Sequence, residues 1–204
     1  MFKPRPWFLI GMVLLAVALR LVPWFLGRFF GMSTDPQTST YPWTFSPLPA
    51  ICLFGAAFYQ DRRLSYLVPL SAYLLGDLGI GLLSGNMKFA FYANQPMVYG
   101  SFILMITIGF YMRKNRSVWA VGGTSFLGAL LFFLITNFGV WALGNGMLYP
   151  HSISGLIKCY TMALPYFRNS LIGMMVFVPV LFSRLALVEY KLPSLQPVPV
   201  TAIK

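Results

Sequence analysis

"YLLGDLGIGLL", residues Tyr73 to Leu83, sets a single carboxylate, Asp77, inside an otherwise apolar run. With its neighbours the run is long enough to cross a bilayer, where an ionised group costs roughly 3 kcal/mol or more unless the protein compensates it. The stretch therefore predicts a membrane-embedded helical bundle that must supply a partner for Asp77 from within.

The rest of the chain agrees with that environment. Of 204 residues, 58% are hydrophobic and only 9% are charged, against roughly 25% charged in a typical soluble domain. The carboxylates are Asp35, Asp61, Asp77 and Glu189, against fifteen Lys and Arg, for a formal charge of +11. The cations lie between the apolar runs, where inner-leaflet lipids and the positive-inside rule place them. No motif that reads DNA or RNA accompanies them, so membrane lipid is the expected partner and nucleic acid is not. Cys52 and Cys159 lack Cys-x-x-Cys spacing. The start, "MFKPRPWFLIGMVLLAVALR", has a signal-like Ala16-Val17-Ala18, but the apolar run continues through "LVPWFL" into a full span, so no cleavage is expected.

Apolar runs read against the roughly 20 residues a bilayer requires predict six spans, at about 7–29, 46–60, 64–83, 96–112, 118–142 and 166–187. The second is short and is entered through "YPWTFSPLP", whose Pro42, Pro47 and Pro49 exclude a regular helix, so this loop is expected to dip into the protein. Lys3, Arg5, Arg62, Arg63, Arg113, Lys114, Arg116, Arg184, Lys191 and Lys204 fall on one side, and Arg28, Lys88 and Lys158 on the other. That asymmetry predicts cytoplasmic N- and C-termini. The expected organisation is an all-α, polytopic six-helix transmembrane domain over 1–190, followed by a disordered, proline-rich cytoplasmic tail over 191–204. The outer connections, about 30–45, 84–95 and 143–165, are long, and long connections are where binding tends to reside. Within the last, Ser152 is the expected N-cap of an amphipathic helix that breaks or kinks at Pro165.

Helical rise gives depth. Arg20 lies thirteen residues past the start of the first span and Asp77 thirteen past the start of the third, each about 20 Å above the cytoplasmic edge. Arg20 is therefore the expected partner of Asp77, as a structural intramembrane pair. Asn137, Arg168 and Asn169 fall toward the outer ends of the fifth and sixth spans, His151 lies in the outer connection "LYPHSIS", and Trp43 belongs to an outward cluster of aromatic residues. Each has a structural alternative. Arg168 can snorkel to headgroups, Asn137 can hydrogen-bond between helices, and Trp43 can belong to an interfacial belt. A polar outer half above a hydrocarbon inner half predicts an outward-facing cavity, with Arg168, Asn169, Asn137, His151 and Trp43 as candidate binding residues. Arg20 and Arg168 against Asp77 would give that cavity surplus positive charge, suited to an anionic solute.

Catalytic chemistry is poorly supplied. The chain has one histidine and one deep carboxylate, too few placed acids and bases for an intramembrane enzyme. "GTSFLG", Gly123 to Gly128, is not a nucleophile elbow, and "GDLGIG", Gly76 to Gly81, lies mid-span with no lysine following, so it is not a phosphate loop. No metal site or cofactor is expected.

"TFSPLPAICLFGAAFY", "RRLSYLVPLSAYLLGDLGIGL" and "LLFFLITNFGVWALGNGMLYPHSISGLIKCYTMALPYFRNSLIG" together resemble a family of uncharacterised bacterial six-span membrane proteins. That family is similar in size and layout to the substrate-binding (S) subunits of energy-coupling factor (ECF) transporters, which capture vitamins or metal ions from outside. The resemblance implies an S-component-like bundle in the bacterial inner membrane, vitamin uptake, and a coupling membrane protein and ATPases as partners. One departure concerns the Ala-x-x-x-Ala docking pattern of such subunits: here Ala16 is followed four positions later by Arg20. Solitary members include cobalamin transporters, and for a corrinoid Cys52 or His151 would be the candidate cobalt ligand. The leading expectation is a solute-binding or transport protein; the alternative is a membrane assembly or scaffold protein without a small-molecule ligand.

Overall fold

The computed structural model describes residues 2–35 and 41–189; the tail expected to be disordered, 191–204, lies outside the described residues. A short strand, β1 (Phe2–Pro4), precedes helices α1 (Pro6–Phe30), α2 (Leu48–Phe58), α3 (Arg62–Ser84), α4 (Met87–Ala90) and α5 (Gln95–Gly109). A 3-10 turn, Phe110–Arg113, leads to α6 (Val118–Leu143), α7 (Ile153–Leu181) and a second strand, β2 (Leu187–Glu189). Among the described residues, helices α1, α3, α6 and α7 and the run Met87–Arg113, five in all, are long and apolar enough to cross a membrane.

The second expected span, 46–60, is the exception. Pro47 and Pro49 delay the helix, whose first turn is held by Ser46 Oγ accepting from Leu48 N at 3.2 Å. Tyr59 leaves in an extended conformation and Asp61 caps α3 by accepting from Arg63 N at 2.8 Å. The resulting 11 residues rise only about 16 Å, half the hydrocarbon thickness. From Leu48 to Ala57 every residue but Pro49 is buried. A helix apolar all round belongs in an interior, and α2 is the central pillar, packed against α3, α5 and α7. Phe54 is ringed by Phe58, Tyr59 and Phe182 at centroid distances of 4.9, 6.2 and 5.8 Å.

Its C-terminal carbonyls, which have no intrahelical partners, are taken by the basic turn after α5. Arg113 donates from Nε to Ala56 O and from Nη2 to Tyr59 O, both at 2.7 Å, and Arg116 Nη2 donates to Ala57 O at 2.9 Å. Cations at a helix C-terminus also complement its dipole.

The other helices pack as consecutive neighbours, α1 on α3, α5 on α6 and α6 on α7, around this pillar. The break expected at Pro165 is absent, since α7 runs unbroken through Pro165 and Pro179. Proline is tolerated in spanning helices because neighbouring groups satisfy the freed carbonyl. Ser152 does cap α7, its Oγ accepting from Gly155 N at 3.2 Å, so the connection read as 143–165 shrinks to 144–152. The last span also stops at Leu181 instead of 187, and the chain returns as β2, antiparallel to β1 with Lys3 opposite Val188. Arg5 N donates to Ala186 O at 2.8 Å, extending that ladder. The two strands hold the first and last helices together at one end of the bundle.

Candidate functional site

Above α2, between mid-depth and the end of the bundle away from the paired strands, lies a cavity of about 310 Å³. Helices α1, α3, α5, α6 and α7 form its sides, and Leu48 and Pro49 at the start of α2 contribute to its lining. A strap, residues 41–47, enters between α1 and α7 and forms part of its wall. Tyr41 OH donates to Leu19 O on α1; burial holds its phenol above the ordinary pKa and so keeps it a donor. On the other side Asn169 Nδ2 donates to Trp43 O at 3.1 Å and Thr44 Oγ1 to Tyr166 O at 2.6 Å. Phe45 packs on Phe177 at 5.2 Å. Gly173 lets the strap pass, since a Cβ there would stand 3.3 Å from Ser46 N. Thr44 takes a φ of 70°, a left-handed conformation that strains a β-branched residue and that the surrounding bonds must hold in place.

The polar centre is Arg20 and Asp77. Asp77 is fully buried, and Arg20 Nη2 donates to its Oδ1. Gln95 Nε2 and Tyr99 OH donate to Oδ2 at 2.7 and 3.1 Å. The Arg20 guanidinium lies 3.8 Å from the centroid of the Tyr73 ring. Gly76 makes the approach of α1 to α3 possible, because a Cβ there would meet Arg20 Cδ at 2.4 Å. The carboxylate thus has three donors and sits behind the wall, whereas Arg20 is part of the cavity lining. Among the described residues four buried side-chain atoms have no hydrogen-bond partner: Arg20 Nε and Trp43 Nε1, on residues that contribute to the lining, and Asn94 Oδ1 and Ser125 Oγ, on residues that do not.

The remaining wall is apolar and aromatic, with Trp24, Tyr73, Tyr92, Phe102 and Phe132 prominent. Of the candidate binding residues, Trp43 lines the cavity and Asn169 holds the strap in place. The other three lie elsewhere. Arg168 is exposed and is not part of the wall. Asn137 Nδ2 bonds back to Phe133 O at 2.8 Å within α6, the internal role open to a polar residue in a spanning helix. His151 is exposed in the 144–152 turn, its Nε2 3.1 Å from Gly144 O. The cavity therefore has no formal surplus charge, contrary to the expectation built on Arg168. Cys52 is buried inside α2 and Cys159 on α7; both are free thiols and neither lines the cavity.

Gln95 and Tyr99 escaped the sequence reading, the first as a loop residue and the second as one of a belt of aromatics. Their spacing was the available signal. Residues i and i+4 share a helix face, and here that face presents an amide and a phenol to Asp77.

A family model, described as a family of unknown function (DUF6580), matches residues 1–195. The chain belongs to DUF6580. No curated protein and no solved structure matches this DUF6580 chain.

Proposed function

We propose that this protein is a multi-pass membrane receptor or transporter that captures a small solute in the cavity above α2. The observation that carries the reading is the cavity itself, of a volume at the small end of ligand pockets and bordered by a strap that is bonded to both flanking helices. A scaffold protein has no need of such a space.

In this reading the paired strands and the basic turns around Arg62, Arg63, Arg113 and Arg116 face the cytoplasm, following the positive-inside rule, and the cavity faces outward. Placement in a bacterial inner membrane and a vitamin-like solute follow from the resemblance. The interior supplies contacts for holding a molecule and no array of acids and bases for transforming one. Movement of the solute would draw on an ion gradient or on a coupling partner with ATPases, the latter docking without the Ala-x-x-x-Ala pattern. Native mass spectrometry of protein extracted gently from its own membranes tests the proposal. The expected result is a small molecule bound at one per chain. A bare chain with a stoichiometric protein partner would favour the scaffold alternative.

A further inference from the structure

Three guanidiniums gather at the C-terminal end of α2. Arg113 and Arg116 meet there because they donate to carbonyls of one stretch of chain, Ala56, Ala57 and Tyr59. Arg62, the first residue of α3, joins them at the ring of Phe110: its guanidinium carbon lies 5.5 Å from the ring centroid and that of Arg113 4.8 Å. Arg116 stacks over Phe58 at 4.6 Å. The group is tight enough that Arg62 and Arg116 both oppose the charge of Arg113.

Arg63 and Lys114 flank the three in sequence and are exposed, as are Arg62 and Arg116. None of these five cations forms an ion pair among the described residues. Asp61, the carboxylate of these turns, is engaged in capping α3 by accepting from Arg63 N. The carbonyls of α2 answer only part of the charge, since a helix C-terminus amounts to about half a negative charge. They also use only part of the guanidinium forks. Arg113 Nη1 and the Nε and Nη1 of Arg116 take no protein acceptor among the described residues.

Such a surface calls for an anion from outside, and its neighbours select the kind. Val118 and Trp119, which open α6 just after Arg116, are 85% and 89% exposed. Tyr111, and Leu64 and Leu67 on α3, are exposed beside the same cations. Apolar and aromatic side chains mixed with cations at the ends of spanning helices fit the border between acyl chains and headgroups, where Trp and Tyr concentrate. The anions at that level are lipid phosphates. Neither a free phosphate ion nor the acidic face of a soluble protein calls for those apolar neighbours.

We propose that residues 61–63 and 113–116 form a docking surface for the phosphate headgroup of an anionic membrane lipid, which neutralises the arginine cluster and so tightens its hold on α2. The inference is independent of what the cavity binds. It is tested on the full chain in an uncharged detergent, by thermal unfolding and native mass spectrometry, with dioleoylphosphatidylglycerol, dioleoylphosphatidylcholine and inorganic phosphate as probes. The phosphatidylglycerol should stay bound in the mass spectrum and raise the melting temperature by roughly 5 °C or more at saturation, the scale of linkage to a well-filled site. The choline lipid and phosphate should each give less than half that rise. Arg62→Gln, which removes a cation that holds no carbonyl of α2, should abolish at least half of it, and Arg63→Gln should act in the same direction. Lys158→Gln, an exposed cation near the opposite end of the bundle, should leave it intact. Equal stabilisation by the choline lipid would overturn the proposal, and so would an undiminished rise in Arg62→Gln; if that variant does not fold, Arg63→Gln decides in its place. A rise reproduced by phosphate alone would make this a site for a free anion and overturn the lipid assignment. The absence of any rise would also overturn it, and an acidic protein that co-purifies with the wild-type chain but not with Arg62→Gln would then be the occupant.

Discussion

Arg113 reaches from the turn after α5 to the carbonyl of Ala56, 57 residues earlier, and closes the end of α2 with a 2.7 Å bond. Its second bond, to Tyr59 O, and the one from Arg116 to Ala57 O make the basic turn a lid on the buried helix. In the sequence these arginines read only as markers of sidedness. The two roles separate experimentally, because lysine preserves the charge that orients a span but cannot reproduce the Nε and Nη2 fork. Arg113→Ala should cost about 2 kcal/mol or more by leaving helix-end carbonyls unsatisfied. Arg113→Lys should recover less than half of that loss while topology reporters on the loops stay unchanged. Full recovery of thermal stability in Arg113→Lys would reduce the residue to a positive-inside signal.

The Asp77 cluster sets an order among substitutions. Asp77→Asn keeps the shape but leaves a part-buried guanidinium without its counter-charge, a loss of about 2–4 kcal/mol, below the cost of breaking a fully buried pair. Tyr99→Phe removes one of three donors to the carboxylate and should cost about 1.5–3 kcal/mol, as hydrogen bonds to charged groups do. Exchanging the charges, Arg20→Asp with Asp77→Arg, should not restore stability. Gln95 and Tyr99 are positioned to donate to a carboxylate at 77 and would face a cation there instead. Thermal unfolding in detergent ranks the variants; a rescued double exchange would show that the pair acts by charge alone.

Gly76→Ala weighs two opposing effects. Alanine gains about 0.5–1 kcal/mol over glycine within a helix. The new Cβ, 2.4 Å from Arg20 Cδ, forces apart a side chain pinned by Asp77, and overpacking of this kind costs about 1–3 kcal/mol. Net destabilisation is expected, with reduced melting temperature. A rise in melting temperature would mean that Arg20 can shift freely.

The five long spans were legible because length and apolarity alone mark a membrane helix. Helical depth likewise placed Arg20 and Asp77 at one height, and in the structure the two side chains meet. The short α2 was not legible as a buried pillar. Its apolar run looks the same whether lipid or protein surrounds it, and only the packing of α3, α5 and α7 tells them apart. Arg168 misled for a related reason, since depth fixes how high a residue sits but not which way it faces. The β1–β2 pairing joins residues from opposite ends of the chain, a juxtaposition that local pattern does not encode. Trp43 was found as one of an outward cluster of aromatic residues, while its unpartnered Nε1 became visible only with the strap in place.

The strap also predicts its own release. Asn169 anchors it by donating to Trp43 O at 3.1 Å, with Thr44 bonded to Tyr166 O beside it at a strained φ of 70°. Removing the amide leaves that strain opposed by fewer bonds, so Asn169→Ala should shift the strap toward open conformations. A cysteine placed at Ser46, within the strap and against Gly173, reports this through labelling by a membrane-impermeant maleimide added from outside. The native thiols Cys52 and Cys159 are both buried and should give a low background. Labelling of Ser46→Cys should rise several-fold when Asn169→Ala is added, and a ligand that fills the cavity should suppress it in both backgrounds. Equal labelling with and without Asn169 would show that the anchor does not govern access, and labelling only from the cytoplasmic side would reverse the orientation proposed for the whole bundle.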